Sequence, residues 1–147
     1  MAAVVAAALG VALLRQGPSP AERRDEVLAR AEAFALALTS YDYRRVDRDL
    51  ARVRALSTGG FREQYDQALG GEAFREALVA NRSVATATVR VGPLLARLGE
   101  EEARTFTVLE QRITTAAEDE PQVRNVRVET VLVHTTGGWK VDRVEVT

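Results

Sequence analysis

The spacing of the apolar residues changes near residue 83, and that change constrains the fold more than any other feature of the chain. Upstream, Val27, Ala31, Phe34 and Leu38 recur every third or fourth residue, and Leu28 and Ala35 widen the stripe. This is the pattern of an amphipathic helix. Downstream, Val84, Thr86, Thr88 and Arg90 alternate with Ala85, Ala87, Val89 and Val91. A period of two, rich in Val and Thr, belongs to a strand. Helices first and strands second predict an α+β fold, with the helices packed in the concavity of a curved antiparallel sheet. At 147 residues the chain is one domain with room for a real core.

The punctuation between these runs sets the elements. Ser19, Pro20 and Glu22 read as a helix start, with Ser19 as N-cap, Pro20 in the first helical position and Glu22 as the reciprocal capping partner. This first helix ends near Thr39. Tyr41-Asp42-Tyr43 forms a bend. A second, short helix opens at Val46 or Asp47 and passes through Leu50, Val53 and Leu56 before the break Ser57-Thr58-Gly59-Gly60. Phe61, Tyr65 and Leu69 mark a third helix closed by Gly70-Gly71. Phe74, Leu78 and Val79 mark a fourth, ending at Asn81. Four strands follow. The first begins at Val84, is interrupted by a bulge or kink at Gly92-Pro93 and continues through Leu94 to Leu98. The others run from Thr105 to Thr115, Val123 to Thr135 and Trp139 to Val146, with a tight hairpin at Thr136-Gly137-Gly138 before the last. Short links make these strands an antiparallel meander.

The extreme N-terminus is different. Met1 to Leu14 carries no charged or polar side chain, and Arg15 ends it. Fourteen helical residues cover about 21 Å, against the roughly 30 Å of a bilayer core. Ala, Val and Leu on every face exclude an amphipathic helix of the domain. Two readings remain: the C-terminal half of a spanning helix that starts upstream, and a shallow anchor or signal remnant. The expected organisation is therefore an anchor at 1–15, a linker at 16–19 and a folded domain at 20–147. Arg15, Arg23 and Arg24 behind the segment weakly favour a cytoplasmic domain.

Charge narrows the function. Twenty basic and 21 acidic residues, interleaved along the chain, give a net charge of −1. No basic stripe is present, so nucleic acid is not an expected partner. There is no cysteine, which excludes disulfides and thiolate metal sites. His134 is the single histidine, and it reads as a strand-end residue. No phosphate loop, nucleophile elbow or zinc motif appears, so no catalytic, cofactor or metal residues are assigned.

The candidates for a pocket or interface are Tyr41, Asp42, Tyr43, Asp47, Gln111 and Trp139. Asp and Tyr in a conical pocket suit general acid–base work on a steroid-like substrate. The alternative is that Asp42 caps a turn while the tyrosines plug the junction of helices and sheet. Gln111 sits between Glu110 and Arg112, which read as an outward pair bonded across strands. Gln111 then points into the cone. Trp139 reads as core closure or as an interface anchor.

Several segments together carry a resemblance: the capped helix, the run ALTSYDYRRVDRDLARVRALSTGGFREQY, the strand RSVATATVRV and the terminal GGWKVDRVEV. From about Val27 to Val146 the chain resembles the actinobacterial Mce-associated membrane proteins, accessory to "mammalian cell entry" transporters. Tyr41 to Tyr65 is the most specific stretch. The resemblance implies a single membrane helix and an extracytoplasmic cone of nuclear transport factor 2-like (NTF2-like) or cystatin-like type, similar to VirB8-type secretion subunits. It implies a non-enzymatic accessory role in lipid or sterol import at the cell membrane. The implied partners are Mce transporter subunits, other Mce-associated proteins, membrane lipid through the anchor, and a second copy of the chain. The rival expectation on the same fold is a lipid- or sterol-binding protein, or an isomerase-like enzyme.

Overall fold

The computed structural model describes residues 17–147. The expected anchor at 1–15 lies outside the described residues, and among the described residues no helix is long and apolar enough to cross a membrane.

Helix α1 spans Pro20–Thr39 and begins as the sequence dictates. The Ser19 side chain accepts from the Glu22 N–H, and Glu22 accepts from the Ser19 N–H at 2.7 Å. Two of the amides that the helix start leaves unpaired are thereby satisfied. Ser19→Ala is expected to cost about 1 kcal/mol of stability, read by denaturant unfolding; an unchanged midpoint would show that tertiary packing alone holds the first turn.

After α1 the chain forms β1 (Tyr41–Asp42), a 3₁₀ turn at Tyr43–Arg45, and helices α2 (Val46–Ala55), α3 (Gly59–Leu69) and α4 (Glu72–Ala80). Strands β2 (Val84–Leu98), β3 (Glu102–Thr114), β4 (Gln122–Thr135) and β5 (Gly138–Val146) complete the domain. The sheet is antiparallel in the order β1-β2-β3-β4-β5. It therefore has five strands, not the four expected. The added strand pairs Tyr41 with Ala85 and Asp42 with Val84. Two residues are too few to show a period, so the segment reads as a bend. β3 also starts three residues earlier than expected, at Glu102.

The bulge at Gly92-Pro93 is present, with the β2–β3 register shifting on both sides of Val91. Gly92 has φ +87°, and a Cβ there would lie 2.7 Å from Leu94 N and 2.8 Å from Phe106 O. Only glycine fits such a crossing. Beyond β1, β2 is an edge strand, where Pro93 costs no ladder bond. The other edge is covered in part: Thr58 N–H donates to Val141 O, and Val141 N–H donates to Leu56 O.

Helix α1 lies across the inner face and contacts β2, β3, β4 and β5. Its Val27, Ala31 and Phe34 are fully buried, as are Leu109, Val128 and Leu132 of the sheet. Phe34 meets Phe61 edge-on at 5.2 Å, and Phe61 stacks on Tyr65 at 5.6 Å. On the outer face Glu110 pairs with Arg90 of the neighbouring strand at 3.0 Å, as expected for an outward charge.

Candidate functional site

Where α1 runs out over the sheet, its last turn does not fill the space above β3 and β4. A cavity of about 200 Å³ remains, closed on the helical side by α2, α3 and α4. Its walls are mainly apolar, including Leu38, Leu50, Leu69, Phe74 and Val126. Besides Thr39 and Ser40 at the end of α1, the polar residues that border it are Tyr41, Asp49, Tyr65, Gln111 and Arg124.

Gln111 organises this end of the cone. It is 3 % exposed and both ends of its amide are used. Nε2 donates to the Thr39 carbonyl at the end of α1, and Oε1 accepts from Arg124 Nε, each at 2.7 Å. Gln111 and Arg124 are direct cross-strand partners, so they share a face. Burial raises the pKa of the Tyr41 phenol, opposed by Arg124. Burial pushes Tyr65 up to about 12. Tyr65 therefore stays protonated at physiological pH and offers a donor, not a base.

The other candidates lie elsewhere. Asp42, 4 % exposed, N-caps the 3₁₀ turn by accepting from the Arg44 N–H. It holds the Arg44 guanidinium in a two-pronged pair at 2.9 and 2.6 Å, with Arg45 at 3.6 Å. Its own N–H donates to Asp49. Tyr43 and Asp47 border a shallow outer depression, where Asp47 pairs with Arg75. Trp139 is buried in the core, edge-on to His134 at 5.3 Å. The six sequence candidates thus do not form one site: Tyr41 and Gln111 meet at the cavity, and the other four do not join them. Asp49, Tyr65 and Arg124 were missed. Arg124 was legible, because stepping back two residues from inward Val126 lands on it.

The hydrogen bonds from Arg44 hold the Asp42 carboxyl at about 2. A depressed carboxyl pKa adds stability that is complete above the ordinary ~3.9 of an unfolded aspartate and is lost as pH falls toward the folded value. Carboxyl NMR is expected to place the Asp42 midpoint near 2, and Asp42→Asn to remove the stability change across that acid window. A midpoint at the ordinary ~3.9 would show that the arginine pair does not persist in solution.

The family described as "Uncharacterized protein Rv1363c/MT1408-like" matches residues 2–147. The chain belongs to the Rv1363c/MT1408-like family. No curated protein matches it. Among solved structures, this family member is similar to an IcmL-like type IV secretion system protein from Legionella pneumophila, with 17 % identity and TM-score 0.71 over 90 % of this chain and 94 % of the other. The periplasmic domain of DotI gives 16 % identity and TM-score 0.67 over 90 % and 98 %. VirB8 from Agrobacterium tumefaciens gives 12 % identity and TM-score 0.68 over 89 % and 96 %. These likenesses establish for the family member a VirB8-like, NTF2-like α+β fold, and at such identities they speak to the fold alone.

Proposed function

We propose that this chain is a non-enzymatic accessory protein of the cell envelope, held at the membrane by residues 1–15, with its domain outside the cytoplasm. Its task is contact with other proteins, and its partners are components of an Mce-type lipid or sterol importer. The observation that supports this most is the match of the whole domain, at nearly full length on both sides, to secretion-system domains, one of them periplasmic. The commitments of the polar groups support it too. Asp42 is spent on a cap and an arginine pair, and Gln111 on tying α1 to the sheet. The Mce assignment rests on the sequence resemblance from about Val27 to Val146, whose most specific stretch is Tyr41 to Tyr65.

Affinity capture from native membranes, with a tag after Thr147 and a mild detergent, is the test. Transporter components are expected in the eluate. Recovery of secretion-system components instead would move the partner assignment, and a protein found free in the cytosol would end the envelope reading.

A second reading, small-molecule binding, has the cavity in its favour. Its size weighs against the sterol version, since sites for drug-sized ligands occupy roughly 300–1,000 Å³ and this one offers about 200 Å³.

A further inference from the structure

We propose that the cavity at the end of α1 is a binding site for a small carboxylate with a compact apolar body, of the size of an aromatic acid, and that Arg124 receives the carboxylate. The inference does not depend on the envelope role.

Volume sets the ligand's body. A dry apolar cavity of about 150 Å³ takes benzene, and this one, at about 200 Å³, is walled largely by Leu, Phe and Val. A ring or short branched chain fits with one polar group to spare. A long acyl chain or a sterol does not.

Polarity sets the ligand's head. Among the described residues the Arg124 side chain is fixed by one bond, from its Nε to the buried Gln111. Among the described residues no acidic side chain forms an ion pair with it. Its two terminal nitrogens therefore remain for a planar acceptor, and a carboxylate matches that fork. Gln111 cannot turn away, because its other end holds the Thr39 carbonyl. The arginine is thus pre-oriented, which spares the ligand that ordering cost. Tyr41 and Tyr65 add hydroxyls on the wall. Asp49 borders the cavity from α2, with one oxygen engaged by the Asp42 N–H. Its charge disfavours a second anion and leaves the β4 side, where Arg124 stands, as the place for the head group.

The test uses the full chain in phosphatidylcholine nanodiscs, with empty discs as blank. Benzoate and its neutral isostere benzamide are the probes, followed by saturation-transfer NMR. Benzoate is expected to bind saturably and more tightly than benzamide. Arg124→Gln is expected to weaken benzoate roughly tenfold, the value of one charge-assisted contact, and to leave benzamide unchanged. Arg124→Lys keeps the charge but loses the fork and its Nε bond to Gln111, so its benzoate affinity should fall between those of the natural chain and Arg124→Gln. Val146→Trp, at the half-exposed rim, should abolish binding of both probes. Equal affinities for the two probes, benzoate binding indifferent to Arg124→Gln or to Val146→Trp, or no saturable binding at all would each overturn the proposal. Should Arg124→Gln fail to fold, the benzoate-to-benzamide ratio on the natural chain and the Arg124→Lys variant decide it.

Discussion

Trp139→Ala is expected to lower the unfolding free energy by about 3–5 kcal/mol, the cost of emptying a large aromatic site in a core. Trp139 is 1 % exposed and belongs to the cluster that includes Val27, Ala31 and Phe34 of α1 and Leu132 of β4. The hairpin that carries it approaches α1 closely. A Cβ on Gly138 would lie 3.0 Å from Glu26 Oε1, and that residue has φ +91°. Truncation would open a cavity inside that cluster, which its neighbours on α1 and β4 can fill only in part, and the expected cost stays within this range. Against a total of roughly 5–15 kcal/mol, the loss would leave a marginal protein. Denaturant unfolding of the full chain measures it, with Trp139→Phe as the milder step. A loss below about 1 kcal/mol, the range of surface substitutions, would return Trp139 to the role of an interface anchor.

The order of elements was legible because the signals for it are local. Ser19, Pro20 and Glu22 lie within one turn, and their capping box needs nothing from the rest of the chain. The switch from a helical to an alternating period is likewise local, and it placed β2 to β5 within a few residues. β1 was not legible, because its two residues are extended only through their partners Val84 and Ala85, more than forty positions away. The same limit applied to the site. Tyr41, Asp42, Tyr43 and Asp47 are neighbours in sequence, and proximity suggested a common purpose. The 3₁₀ turn at Tyr43–Arg45 separates them, sending Tyr41 to the cavity and Asp47 to the outer surface. Gln111 could be assigned an inward direction from its outward neighbours, but its two partners come from α1 and β4. Pairings of that range follow from register, and register appears only once the sheet is built.

Gln111→Leu should then show what that buried amide is worth. The substitution keeps the volume and removes both hydrogen bonds. Thr39 is 4 % exposed, so its carbonyl is left short of a donor in a place water reaches poorly. Arg124 is exposed and can turn to solvent. The cost therefore falls on the α1 side, and about 1–3 kcal/mol is expected from leaving a buried acceptor unsatisfied. Arg124→Gln alone should cost less, since it removes one bond from an exposed side chain. The two changes remove the same hydrogen bond, so their effects should not add. A double-mutant cycle is expected to give a coupling of about 0.5–1.5 kcal/mol. The loss should also be local in its dynamics, with faster amide exchange in the last turn of α1 and in β1, and little change around Trp139. If Gln111→Leu leaves stability and exchange at Thr39 to Asp42 as they were, the end of α1 is held by packing alone. Arg124 would then have no fixed support, and the cavity would lose the pre-orientation that makes it a site.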